Sequence, residues 1–180
     1  MRVITGSARG VRLKTPEGME TRPTTERVKE ALFSAIQFEI EGRSVLDLFA
    51  GSGQLGIEAL SRGASRAVFV DNAKASVQLV RENLQKTKLM ERAQVVQTDY
   101  LSYLQRCRER FGLIFLDPPY AEKHLENALD AIYEFDILLS GGIIVTERPK
   151  GKSLDAEYAG YTRSRDYGFG MSAVTLFRKE

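Results

Sequence analysis

The sequence predicts an α/β fold on a mostly parallel sheet, and three observations carry that expectation. Near-continuous apolar runs of strand length recur through the middle of the chain, helical stretches separate them, and a glycine-rich loop follows the first. Strands buried on both faces need such runs, and parallel neighbours need a crossover between them.

Val3-Ile4 and Val11 to Leu13 flank the turn-forming stretch Gly6 to Gly10, which predicts a short β-hairpin with outward arginines. From Met1 to Pro16 the charged side chains are Arg2, Arg9, Arg12 and Lys14, with no acid among them. The expected organisation is one domain over 1–180, with 1–20 a basic hairpin appendage. After Arg22-Pro23, Thr24 is a good N-cap, Glu26 suits the first-turn dipole, and Val28, Leu32, Ala35 and Ile36 recur at helical spacing towards Gly42.

Val45 to Phe49, Ala67 to Val70, Ala93 to Val96, Leu113 to Leu116 and Ile143 to Val145 then read as strands. Gln54 to Ser61, Ala73 to Lys86, Tyr100 to Arg110 and Lys123 to Phe135 read as the helices between them. The tail changes rhythm: Tyr161 to Tyr167, Gly168-Phe169-Gly170 and Ala173 to Phe177 predict a terminal antiparallel hairpin.

A chain of 180 residues can build one buried core without staples. The lone Cys107 excludes an internal disulfide, and the start MRVITGSARG holds neither an apolar signal core nor a spanning segment. The cytoplasm is therefore the expected compartment, with no membrane partner. A net charge of +2 is too small to argue for nucleic acid by itself, so only the local basic arm points that way. Phosphate contacts by Arg9, Arg12 and Lys14 would give a log K against log salt slope of roughly −2 to −3.

Strand Val45-Leu46-Asp47-Leu48-Phe49 runs into Ala50-Gly51-Ser52-Gly53-Gln54-Leu55-Gly56 and then a helix, the place where open α/β sheets bind nucleotides. The G-x-G-x-x-G spelling alone also fits a nicotinamide enzyme. Asp47 discriminates, because a carboxylate there repels a pyrophosphate and attracts the ammonium and sulfonium of S-adenosylmethionine. Too little chain remains for the substrate domain of an oxidoreductase. Asp71, followed by Asn72, ends the next strand, where a carboxylate can accept from both ribose hydroxyls. Asp99 could accept from an adenine amino group, with Tyr100 beside the ring.

Asp117-Pro118-Pro119-Tyr120 lies at the carboxyl end of the fourth expected strand. An exocyclic amine on a base is a poor nucleophile because its lone pair is conjugated with the ring. The Asp117 carboxylate and the Pro118 carbonyl can accept its two hydrogens, and the two prolines hold both acceptors in place. Tyr120 offers a stacking face worth roughly 1–3 kcal/mol per base. No metal-ligand cluster is seen, and His124 reads as a solvated helix residue.

Asp47 to Gly53 (DLFAGSG), Asp117 to Tyr120 (DPPY), Arg22 to Phe33 (RPTTERVKEALF) and the MRVITGSARG start together resemble the small bacterial RsmD-type methyltransferases over essentially the whole chain. The resemblance implies a Rossmann-like class I fold with an antiparallel last strand, and S-adenosylmethionine as donor. The implied substrate is the N2 of guanine 966 in 16S ribosomal RNA, within the small subunit or its precursor. It also implies that Asp47, Phe49, Ala50, Gly51, Ser52 and Gly53 hold the methionine part of the donor, Asp71 the ribose, Asp99 the adenine, and Asp117 to Tyr120 the target base. Arg22, Thr24 and Arg27 are expected near the mouth of the site. A monomer is expected; another amino-methyltransferase or a non-catalytic assembly factor is the alternative.

Overall fold

A computed structural model describes residues 1–17, 23–119, 123–151, 154, 157–158 and 160–180. Among these residues the sheet has eight strands: β1 Ser44–Asp47, β2 Arg66–Asp71, β3 Ala93–Gln97, β4 Phe111–Leu116, β5 Leu138–Pro149, β6 Glu157–Tyr158, β7 Tyr161–Phe169 and β8 Ser172–Arg178. The order is β3-β2-β1-β4-β5-β8-β7-β6. The first five of that order run parallel, while β8 lies antiparallel to β5, β7 to β8 and β6 to β7. Because the chain moves outward from β1 through β2 and β3 and then returns to β4, the order reverses between β1 and β4, which opens a crevice at their carboxyl ends.

Among the described residues, five α-helices cover the two faces: α1 Pro23–Ala35, α2 Gln54–Ser61, α3 Lys74–Thr87, α4 Tyr100–Arg106 and α5 His124–Glu134. One core layer joins α1, α2 and α3 to Val45, Phe69, Phe115 and Val145; the other joins α4 and α5 to Leu46, Val68, Ile114 and Ile144. Alternate residues of each central strand thus enter opposite layers, so β4 is buried throughout.

Several boundaries differ from those expected. α1 begins at Pro23, so Thr24 stands in its first turn and not at the cap; proline suits a first helical position because its missing N–H would lack a partner there anyway. α1 also stops at Ala35, and Ile36 and Ile40 reach the core from the turns that follow. β5 is far longer than Ile143 to Val145, because the polar stretch Ser140-Gly141-Gly142 hides its first half from an apolar pattern. The expected terminal hairpin forms, turning at Gly170 (φ 57°) and Met171.

The N-terminal segment folds back on itself through an Arg2–Arg12 bridge and the Val3–Val11 bonds, but it does not stand off the body. Val3, Ala8 and Leu13 are buried in the α1–α2–α3 layer. The buried Glu58 of α2 accepts from the Ile4 and Thr5 amides at 2.8 and 3.1 Å, and pairs with Lys29 of α1 and with Arg62. Gly6 (φ 96°) passes so close to the Ser61 carbonyl that a β-carbon would overlap it. The segment expected as an appendage is therefore docked against α1, α2 and α3.

Candidate active site

The glycine loop joins β1 to α2 at the carboxyl edge. Ala50 donates to the Val70 carbonyl at 3.0 Å, Gly51 donates to Asp71 Oδ2 at 2.9 Å, and Gly53 (φ 83°) donates to the Ala50 carbonyl at 2.7 Å before the helix begins. Gly51 (φ 58°) faces open space, since a β-carbon there would meet nothing within 4 Å. Gly56 has a different duty: a β-carbon would overlap the buried Phe69 ring, so this glycine lets α2 lie close on β2. The Ser52 carbonyl is held by Asn83 Nδ2 of α3 at 2.9 Å. Asn83 also exchanges hydrogen bonds with the Lys14 backbone, which ties the N-terminal segment to the loop. Sequence reasoning missed Asn83, whose partners lie 31 and 69 positions away.

Asp47 is 2% exposed, and its Oδ2 accepts from Gly56 N at 3.0 Å. Burial raises its pKa to about 7; the Gly56 bond opposes the rise and the nearby Asp71 adds to it. Asp71 is engaged by backbone on both oxygens, from Gly51 N and from Ala73 N at 2.9 Å each. Each carboxylate oxygen keeps a second lone pair for a ligand hydroxyl. Asn72 is exposed next to it. Asp99 is exposed and caps α4, accepting from Ser102 N at 2.9 Å, and its bonds with Ser102 hold its pKa below the ordinary value. One of its oxygens is thus taken up by the helix cap, which the expected adenine role did not include.

Phe49 and Tyr100 lie 4.9 Å apart, centroid to centroid, and the Tyr100 hydroxyl is 3.2 Å from His124 Nδ1. His124 is half-buried against that ring, with centroids 5.6 Å apart, and is not the solvated residue expected. The contact joins α4 to α5 across 24 positions, so no local pattern announced it.

Asp117, Pro118 and Pro119 follow β4 directly; Tyr120 lies outside the described residues. Pro118 is buried, Pro119 exposed and Asp117 half-buried. Burial first, then the charges of Glu147 and Asp47, drive the Asp117 pKa well above the carboxylate range. Glu147 on β5 belongs to none of the expected motifs. Asp47, Asp117 and Glu147 thus form a group of acids on or directly after the neighbouring β1, β4 and β5.

In the basic arm, Arg9 and Arg12 are exposed, as is Arg27 on α1. Lys14 is not free of the body: its ammonium pairs with Glu82 at 2.8 Å. Arg22 and the Thr24 side chain lie outside the described residues. A separate depression of about 400 Å³, lined by Arg43, Ser44, Ser65, Gly112 and Ser140 to Gly142, sits at the amino ends of the strands, on the opposite edge from these groups. Among the described residues no cluster of His, Cys, Asp and Glu could hold a metal ion, and no helix is long and apolar enough to cross a membrane.

Strand order, antiparallel β8 and a glycine loop at the switch point define a Rossmann-like fold of the class I methyltransferase kind. The chain belongs to the family described as Conserved hypothetical protein 95, the RsmD family, whose model matches residues 1–178. It is 41% identical over 182 residues to YlbH of Bacillus subtilis, covering 99% of each chain. It is 33% identical to the ribosomal RNA small subunit methyltransferase D of Escherichia coli, over 100% of this chain and 90% of that one. Among solved structures, Escherichia coli yhhF superposes with a TM-score of 0.90 at 33% identity, over 100% of this chain and 98% of that one. The Thermus thermophilus 16S rRNA N2 G1207 methyltransferase RsmC, solved with AdoMet and guanosine, shares the fold at a TM-score of 0.72 and 22% identity, over 91% of this chain and 45% of its own.

Proposed function

We propose that this protein transfers the methyl group of S-adenosylmethionine to the exocyclic N2 of a guanine in 16S ribosomal RNA, guanine 966 being the target that the family resemblance implies. The observation that carries the reading is the pairing across the β1–β4 crevice. The glycine loop follows β1, Asp117-Pro118-Pro119 follows β4, and Asp47 and Asp117 make the space between them favourable for a cation.

The residues fit such a donor. Gly51 leaves room where the methionine part would lie, Asp47 and Asp117 favour its positive charges, Asp71 can accept from the ribose, and Phe49 with Tyr100 offers an aromatic wall for adenine. Bound there, S-adenosylmethionine supplies a methyl group made electrophilic by its sulfonium. The Asp117 carboxylate and Pro118 carbonyl accept the two amino hydrogens and turn the nitrogen lone pair out of conjugation. The amine becomes acidic only once methylated, so Asp117 or water takes its proton afterwards. Tyr120 stacks on the target base, while Arg9, Arg12, Arg22, Thr24 and Arg27 meet the RNA around it. The relatives named as ribosomal RNA small subunit methyltransferase D support this substrate class. The protein is proposed to act as a monomer on the small subunit or its precursor in the cytoplasm, without a metal.

The test is transfer of labelled methyl from S-adenosylmethionine to small subunits lacking the modification, with free ribosomal RNA, DNA and protein alongside, followed by nucleoside analysis. N2-methylguanosine is expected. Label in adenine or in protein would overturn the substrate, and donor binding without turnover on any RNA would favour an assembly factor.

A further inference from the structure

Glu147 lies outside the sequence motifs, yet the sheet brings it beside the residue assigned to the target amine. β4 and β5 run parallel, with Phe115 opposite Val145 and Leu116 opposite Thr146. Asp117 and Glu147 come next on the two chains, and neighbouring strands lie about 4.8 Å apart. Phe115 and Val145 both enter the layer beneath α1 and α2, and the two-residue side-chain period carries Asp117 and Glu147 to the same side. Glu147 is half-buried on this edge, and its charge is the largest contribution after burial to the upward shift of Asp117.

Guanine differs from the other amino bases in what stands next to its amine. One neighbour of guanine N2 is N1–H, a donor, and the other is the N3 acceptor, whereas the amine of adenine has only the N1 acceptor beside it and that of cytosine only the N3 acceptor. A second carboxylate beside the amine acceptors therefore attracts guanine and meets a lone pair on the other two. We propose that Glu147 is a specificity-determining residue that accepts the N1–H of the target guanine while Asp117 and the Pro118 carbonyl hold the N2 hydrogens. This inference rests on the guanine-N2 reading above and adds the group that tells guanine from other bases.

The test compares the full-length wild type and Glu147→Gln on small subunits reconstituted with guanine or with 2-aminopurine at the target position. 2-Aminopurine keeps the amine but presents N1 as an acceptor. The wild type is expected to prefer guanine by roughly 10- to 100-fold, the range for one well-made base-edge pairing. Glu147→Gln, whose amide can donate to N1, is expected to bring that preference to within a few-fold while S-adenosylmethionine affinity holds. An equal loss on both substrates would assign Glu147 to structure and overturn the inference, as would an unchanged preference or a wild type that uses both bases alike. Should Glu147→Gln lose its cooperative melting, Glu147→Asp keeps the charge and shortens the reach, and the same selective loss on guanine is expected. Failure of the broader reading is visible on the wild type alone, as label in adenine or protein instead of guanine.

Discussion

Asp47 carries a charge that its surroundings disfavour until a cation arrives. Its folded pKa of about 7 stands above the ~3.9 of an unfolded aspartate, so the native state holds the extra proton between those values. Stability is therefore highest below about pH 4 as far as this group is concerned, and it falls as pH rises towards 7, by at most ~1.4 kcal/mol per pH unit. Asp117 acts in the same direction. Urea unfolding of the ligand-free protein at pH 5, 6, 7 and 8 is expected to show this decline, and Asp47→Asn to flatten it while weakening S-adenosylmethionine binding. A slope that Asp47→Asn leaves untouched would mean the carboxylate is already compensated within the fold. Gly56→Ala puts a methyl group into the Phe69 ring and is expected to cost about 1–3 kcal/mol in the same assay. The two glycine duties could not be separated in the sequence, where Gly51, Gly53 and Gly56 share one spelling. Asp71 and Asp99 illustrate the same limit: an acid after a strand reads alike whether it accepts from backbone or from ligand, and here both accept from backbone.

At the level of elements, agreement followed the locality of the signal. α2 spans Gln54–Ser61 as its glycine-bounded apolar pattern predicts, and the terminal hairpin lies where its glycines and β-branched residues put it. The errors fell where contacts far along the chain decide the outcome. The N-terminal hairpin is polar enough to read as an appendage, yet Glu58, 53 and 54 positions away, fixes it to α2. That carboxylate also holds Lys29, 2% exposed, whose own pKa is lowered by burial against the opposing pull of Glu58. Glu58→Ala would take the counter-charge from a buried ammonium, which keeps the Arg2 carbonyl, and leave two amides without their acceptor, a change expected to cost about 3–5 kcal/mol. Combining Glu58→Gln with Lys29→Met should recover part of that loss. Additive losses in chemical denaturation would show that the pair does not act as a unit.

Taken as a whole, the molecule gathers its candidate site residues at one sheet edge and carries exposed arginines on the segment docked beside it. The N-terminal segment reaches the glycine loop through Asn83, so RNA held by this arm would approach the face that carries α2 and α3. Composition foresaw the basic arm, but not how its charges are divided: Lys14 is committed to Glu82, while Arg9 and Arg12 are exposed. Two phosphate contacts are therefore expected from these three cations instead of three. Each contact contributes roughly −0.7 to −0.9 to the log K against log salt slope, so Arg9→Ala with Arg12→Ala is expected to make the slope shallower by about 1.4 to 1.8. Lys14→Ala alone should change it by much less, because its ion pair must first be exchanged for a phosphate. Titration of small subunits across a salt series reads both effects, with S-adenosylmethionine affinity as the control for folding. A double variant that binds with the wild-type slope would remove the arm from the RNA interface and assign its arginines to keeping an exposed strand edge from pairing with other chains.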